Sequence, residues 1–388
     1  MRGLGRYGDG GQTAKRSPYP MAAKSRLCLH KFPQAHIIIR KGGVPVLYRL
    51  YNADQPVATF QYEKGVITAF TAEKERLLPK QLCNASAGGF AQWLYGRAID
   101  LNTYLHRRLA NELIGSRDKT AIAIMTHMFS ISDTFTCFAD GAFIPRKDLC
   151  KVEDQQSVSD FILISSDTSL RKRNIVTPNA STDGSFPKTW KYVDGDWWLY
   201  KLQPSAATRS EREISHVVMA CGWDAAEYQY SGHYRTRIRS RNFVGQDEFF
   251  EPYDSLRFMF DDRSDDELVI YKNIVSLGEA FERAFRRILL ADALFMNTDR
   301  HMRNYGVIRS AVTGGILRMA PHFDNNQAYL SNPSGHYSDG MLRSFEKTYG
   351  LRDQDLEDLK TLLEECAKRP FMKEACEVGN AFLRGDHT

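Results

Sequence analysis

The segment NTDRHMRNYGVI, residues 297–308, sets one acid, two arginines, a histidine and two asparagines into a dozen positions. It follows a stripe of Leu277, Phe281, Ala284, Phe285, Ile288 and Leu289, whose three- and four-residue spacing reads as a buried helix face. Polarity this dense at the end of a core helix is either a solvated helix end or a loop built for chemistry, and the flanking sequence decides between them. Downstream, YGVIRS and ILRMAPHF flank AVTGG as a hairpin whose second strand runs out into PHFDNN, residues 321–326. Two amphipathic segments, DQDLEDLKTLLEECAKR and FMKEACEVGNAFL, follow as helices.

Upstream, KTWKYVDGDWWLYKL joins two aromatic-rich runs through Asp194-Gly195, a strong signal for a hairpin with a type I′ turn and strands over 188–193 and 196–202. Ile214, Val217, Val218 and Cys221 then mark an amphipathic helix closed by Gly222. YRTRIRSRNFV alternates as a strand with Arg235, Arg237, Arg239 and Arg241 on one face, a row that either protects a strand from aggregation or docks an anionic partner. Residues 44–51 and 58–70 read as strands, 89–114 as helix and 129–138 as short extended runs. The expected class is α/β (α+β): a flexible tail over 1–25, an N-terminal α/β extension domain over 26–170, a β-rich lobe over 171–253 and a mainly helical lobe over 254–388.

Composition narrows the setting. The sequence is 43% hydrophobic and 12% aromatic, enough for a sizeable core, and its net charge of +5 from 52 Lys+Arg against 47 Asp+Glu says little about nucleic acid. Seven scattered cysteines without a CxxC pair suggest neither a disulfide framework nor a zinc site. No apolar run reaches the roughly 20 residues of a membrane-spanning helix, so a soluble cytoplasmic protein is expected.

Phosphoryl transfer needs few parts: a loop over the phosphates, a lysine to hold them, metal ligands, and a carboxylate to orient the attacking hydroxyl. Asp299 and Asn304 have the D-x-x-x-x-N spacing of a kinase catalytic loop, in which the acid takes the hydroxyl proton and the asparagine binds Mg²⁺. Asp324, delivered by the hairpin's end, stands where the second metal carboxylate of a kinase arrives. Lys201 shares a strand face with Leu199 and Trp197, so its ammonium requires an anion, and Glu213 on the next helix is the candidate. Glu213 also fits a capping box with Ser210, in which case it only caps its helix. The loop before the hairpin offers Ser181, Thr182, Asp183, Gly184 and Ser185, one glycine among hydroxyl residues, where a phosphate-covering loop belongs. His301 and His322 either position the loop and phosphate or serve as hydrogen-bonded structural residues, the latter being expected for His301.

These residues together resemble the HipA-like serine/threonine kinases, the toxin half of bacterial toxin–antitoxin pairs. The likeness rests on S-x-x-G-x-x-x-K-T beginning at Ser181, on Lys201, on NTDRHMRN beginning at Asn297 and on MAPHFDNN beginning at Met319, and it spans roughly residues 175–345. It implies a two-lobed protein-kinase-like fold, Asp299 as catalytic base, Asn304 and Asp324 as Mg²⁺ ligands, and an ATP site built from Ser181, Thr182, Asp183, Gly184, Ser185, Lys201 and Glu213. It further implies Ser181 as an autophosphorylation site, where about −1.5 to −2 units of added charge would repel the ATP phosphates. The partners it implies are a protein substrate, such as an aminoacyl-tRNA synthetase or other translation factor, and a small DNA-binding antitoxin. It implies no membrane and no direct sequence-specific nucleic-acid binding. WLYGRAI at 93–99 and FSISDTF at 129–135 are similar to diverged HipA-like proteins of Gram-positive bacteria. DRHMRN followed by H-x-D also resembles the phosphoinositide kinases, which leaves a lipid or small-molecule acceptor open, as it does a pseudokinase acting as a binding module. Against a lipid acceptor stand the Ser181 loop and Asn325-Asn326, where a glycine would follow Asp324.

Overall fold

Tight turns divide the first half of the chain into antiparallel hairpins. The computed structural model describes residues 45–102, 104–164, 176–182, 186–232, 235–328 and 337–386. The tail expected over 1–25 and the loop residues Asp183, Gly184 and Ser185 lie outside the described residues. The first sheet orders β3-β2-β1-β4, from β1 (Val46–Asn52), β2 (Gln55–Glu63), β3 (Val66–Ala72) and β4 (Phe135–Ala139). Residues 58–70, expected as one strand, are two, because Lys64 and Gly65 both take positive φ (48° and 91°) and reverse the chain. The helix expected over 89–114 is likewise two, Ala87–Gly96 and Tyr104–Ile114, the first capped by the Ser86 hydroxyl, which accepts from Gly89 N at 3.2 Å. The sheet buries Phe60 against this first helix, where Phe90 stacks on Phe70 at 4.4 Å between centroids.

The second sheet orders β5-β6-β8-β7, from β5 (Lys188–Val193), β6 (Asp196–Leu202), β7 (Tyr228–Tyr230) and β8 (Arg237–Arg241). Its first hairpin has the expected strands, and Asp194 and Gly195 supply the two positive φ angles, 52° and 90°, of a type I′ turn. The Ser205–Ala220 helix follows and packs its Ile214, Val217 and Val218 into the helical core. The arginines of β8 lie on the sheet face opposite Lys201. Arg239 stacks over Trp198 at 4.3 Å and donates to Gln229 (2.7 Å) and Tyr200 (3.3 Å); Arg241 pairs with Asp196 at 2.7 Å; Arg237 reaches the Leu163 carbonyl at 3.3 Å. The row therefore covers an aromatic sheet face, with each of these three guanidiniums engaged by its neighbours.

The third sheet, β11-β10-β9, consists of β9 (Glu248–Pro252), β10 (Gly306–Ser310) and β11 (Ile316–Met319). The Glu279–Phe295 helix runs into it. Its last turn is closed by Met296 in the left-handed conformation (φ 51°), and the polar segment 297–304 fills the gap before β10. Leu290 and Leu294 of this helix meet Leu359, Leu362 and Leu363 of the Asp353–Ala367 helix and Phe382 of the Lys373–Arg384 helix. Among the described residues no helix is long and apolar enough to cross a membrane.

One side chain fastens the third sheet to the segment beyond β3. Arg309, fully buried on β10, pairs with Glu251 of β9 and donates to the carbonyls of Leu78 (2.9 Å), Arg76 (2.8 Å) and Gly314 (3.0 Å). Gly314 is required there: its φ is +74°, and a Cβ would lie 1.9 Å from the Arg76 oxygen. Removing one partner of such a pair strands the other charge, so Arg309→Met should lower unfolding stability by about 3–5 kcal/mol in urea titration. Arg309→Met combined with Glu251→Met should recover part of that loss; a double variant less stable than the single would contradict the pairing.

Candidate active site

Strand β6 brings Lys201 into the interior, only 6% exposed, between two carboxylates. Its Nζ lies 2.5 Å from Glu211 Oε1 and 2.9 Å from Asp324 Oδ1. Burial by itself would push the ammonium's pKa down, but Asp324 and Glu211 outweigh it and raise it well above the usual lysine value, so the charge stays. Burial would likewise raise the Asp324 carboxyl, yet Lys201 and Lys188 hold it well below the ordinary carboxylate range. Glu211, wholly buried, is pushed up by desolvation against the pull of Lys201, and Gln203 donates to its other oxygen at 2.7 Å.

This corrects the sequence expectation for Glu213, which is not the partner of Lys201. It sits two residues further along the same helix, roughly 200° around its axis, and pairs instead with Arg212 and with Arg369 at 3.4 Å. It does not cap the helix either, because the helix begins at Ser205, directly after Pro204, and Ser210 lies in its interior, donating to the Asn325 carbonyl at 2.6 Å. Glu211 was legible: extending the Ile214, Val217, Val218 stripe back by one turn lands on it.

Residues 297–304 are tied together by their own polar groups and by one buried arginine. Asp299 is exposed; its amide donates to Asn297 Oδ1 (3.4 Å) and its carbonyl accepts from Asn304 Nδ2 (3.3 Å), while the Asn304 amide donates to the His301 carbonyl (2.8 Å). Arg300 points inward. Its Nε and Nη2 clasp both oxygens of Asp292 on the preceding helix at 2.7 and 2.9 Å, its Nη1 donates to the carbonyls of Asn304 (3.0 Å) and Phe323 (2.6 Å), and Nη2 also reaches Asn325 Oδ1 (3.0 Å). One guanidinium thus holds the loop that carries Asp299 and Asn304 and the segment that carries Asp324, which itself takes a left-handed φ of 62°. Burial would raise the Asp292 pKa, but Arg300 holds it well below the usual range.

His322 belongs to the same support. It is 2% exposed, and burial pushes its pKa down, so it is neutral. Its Nε2 lies 2.9 Å from Arg300 Nη2 and 3.2 Å from Asp292 Oδ1, so the imidazole packs directly against the ion pair. His301 is exposed and accepts from the Arg303 amide at 3.2 Å, a bond within its own turn. Neither Arg300 nor Asp292 was singled out from sequence, although a lone aspartate in the apolar run ILLADALF implies a buried cation nearby.

Ser181 ends a 3-10 turn, Pro178–Ser181, and its hydroxyl lies 2.8 Å from the Pro178 carbonyl and 3.1 Å from that of Phe129. Thr182 is buried and donates to the Asn179 carbonyl at 3.1 Å. The structure thus joins Lys201 directly to Asp324, links Asn304 and the segment of Asp324 through Arg300, and gives Ser181 and Thr182 partners of their own.

No described protein family matches the chain, and no curated protein matches it by sequence. Among solved structures, it is similar to HipA of Shewanella oneidensis MR-1, from the complex of that toxin–antitoxin system's HipA and HipB with operator DNA: TM-score 0.54 and 11% identity, covering 87% of this chain and 97% of that one. A proinflammatory kinase of Helicobacter pylori, CtkA, aligns at TM-score 0.36 and 15% identity over 50% of this chain and 89% of that one. The first likeness shows the fold, an α+β kinase-like architecture of the HipA kind.

Because the Asp292 pKa is lower folded than unfolded, the stability it contributes is complete above the ordinary carboxylate range and is lost as pH falls through it, from roughly pH 5 downward. Asp292→Asn should cost about 3–5 kcal/mol at neutral pH by leaving Arg300 unpaired. Its unfolding midpoint should also fall less steeply with acid than that of the unaltered chain; parallel acid limbs would contradict the assignment.

Proposed function

We propose that the chain is an ATP- and Mg²⁺-dependent protein kinase of the HipA-like type, acting on serine or threonine hydroxyls. The observation that carries this reading is Lys201, a charged lysine held between a helix glutamate and the carboxylate that follows the β10-β11 hairpin. That is the arrangement a phosphate-holding lysine takes beside a metal-binding acid. Asn304 and Asp324 offer hard oxygen donors suited to Mg²⁺, which commonly takes one or two protein ligands and fills its remaining positions with phosphate and water. When bound, the ion would neutralise charge on the transferring phosphate. Lys201, kept protonated by its two carboxylates, holds the phosphates in place. Asp299, exposed on a loop braced by Arg300, accepts the proton of the acceptor hydroxyl.

Regulation through Ser181 belongs to the same proposal. A phosphate cannot keep the hydrogen bonds its hydroxyl donates to the Pro178 and Phe129 carbonyls, so modification would expel the residue from its turn and alter the loop that follows. The complex of HipA with HipB and operator DNA supports a DNA-binding antitoxin as a partner to be sought. A translation factor such as an aminoacyl-tRNA synthetase is the substrate class to try first.

Incubated with γ-labelled ATP and Mg²⁺ in a bacterial lysate, the chain should transfer label to protein. Asp299→Ala should reduce the rate by roughly 10²–10⁴-fold. Glu211→Gln should also impair transfer, whereas Glu213→Gln, away from Lys201, should change it little. Label entering phosphoinositide vesicles in place of protein, or equal losses in the two glutamate variants, would contradict the reading.

A further inference from the structure

The last two helices of the chain meet at a pair of thiols. Cys366, fully buried near the end of the Asp353–Ala367 helix, and Cys376, part-buried in the first turn of the Lys373–Arg384 helix, are both free of any disulfide. Two contacts place them opposite one another. The Cys376 thiol donates to the Leu363 carbonyl at 3.7 Å, about one helical turn before Cys366. One turn beyond Cys376, Gly379 packs on Leu363: a Cβ there would lie 2.5 Å from a Leu363 methyl, so the helices approach closely at this point. Leu363 with Gly379 and Cys366 with Cys376 share the one register of helices packed antiparallel, and the two thiols are hydrogen-bonded to each other.

Cys366 belongs to the helical core, whereas Cys376 stands at its margin, and both line a surface recess with Arg369, Lys373, Glu377 and Arg384. The three cations there have carboxylates of their own: Arg369 lies 3.4 Å from Glu213, Lys373 3.6 Å from Glu377 and Arg384 2.7 Å from Asp386. The nearest support for a thiolate at Cys376 is therefore the Cys366 S–H. Donation from it lowers the Cys376 pKa, and the same bond, together with burial, raises that of Cys366. The two sulfurs thus differ in both access and ionisation.

We propose that Cys366 and Cys376 form a peroxide-reactive dithiol, in which Cys376 takes the oxidant and Cys366 closes a reversible disulfide. The Cys376 sulfur attacks one oxygen of the hydroperoxide, the O–O bond breaks, and hydroxide or alkoxide departs. Cys376 is left as a sulfenic acid, its sulfur oxidised and the peroxide reduced. Cys366 then attacks that sulfur; the S–S bond forms as the S–O bond breaks, and the departing hydroxide leaves as water with the Cys366 proton. Exchange with a small thiol restores both residues. This chemistry involves no phosphoryl transfer, and the site stands whether or not the kinase reading does.

The reduced full chain is treated with hydrogen peroxide, its remaining thiols are alkylated, and tryptic peptides are mapped by mass spectrometry. Cleavage after Lys368 and Lys373 puts the two cysteines on separate peptides. These should appear joined, two hydrogens lighter than the separate pair, and come apart with dithiothreitol. Phenylarsine oxide, which bridges adjacent thiols, should protect both cysteines from alkylation. Cys376→Ser should abolish the cross-link and the protection, and Cys366→Ser should leave Cys376 as a sulfenic acid trapped by dimedone. If Cys366→Ser does not fold, the part-exposed Cys376→Ser variant and the peptide map of the unaltered chain still decide. Both cysteines recovered alkylated after peroxide, either one joined instead to Cys221, or arsenical protection of Cys366 that survives in a folded Cys376→Ser variant would overturn the proposal.

Discussion

The site depends on a buried ion pair. Taking either Asp292 or Arg300 out of water alone would cost several kcal/mol, so each requires the other, and their two parallel bonds fix the guanidinium plane. The rest of that plane is then aimed at two different segments, the carbonyl of Asn304 on one side and that of Phe323 on the other. Lysine in this position could carry the charge but not the geometry, because its ammonium lacks a planar fork. Five donors on one rigid group are what bring a loop after a helix and a segment after a hairpin into register.

On that support the functional groups differ in how far they are fixed. Lys201 is committed from both sides, by Glu211 and by Asp324, which keeps it charged and prevents it from swinging out to solvent. Glu211 is the inner anchor and Asp324 the outer one, less buried and held ionised by the lysines near it. Asp299 is the least constrained, with its backbone braced and its carboxylate exposed. A rigid lysine centre beside an open carboxylate suits the proposed reaction, in which a small, constant phosphate donor meets a large acceptor.

Much of this was legible in the sequence where local rules decide structure. Asp194-Gly195 specified the hairpin to the residue, since few other dipeptides supply two positive φ angles cheaply. The spacing of Asp299, Asn304 and Asp324 marked the two segments that Arg300 joins. The misreading of Glu213 arose from a helix start: Ser210 looks like a cap, but the helix opens after Pro204, nearly two turns earlier, and it is Glu211 that faces Lys201. The split of residues 58–70 was missed because Lys64 does not advertise a left-handed turn. Arg300 was overlooked for another reason. Its importance lies in partners spread over Asp292, Asn304, Phe323 and Asn325, and no short motif encodes contacts that only the tertiary fold creates.

The central claim is that Lys201 and Asp324 form one centre for a metal-bound nucleotide, and calorimetric titration of ATP into the chain tests it most directly. With Mg²⁺ present, binding should be tighter than without it, and Asp324→Asn should abolish that difference while leaving metal-free binding largely intact. ATP affinity indifferent to Mg²⁺ in the unaltered chain, or an Mg²⁺ effect that survives in Asp324→Asn, would contradict the account.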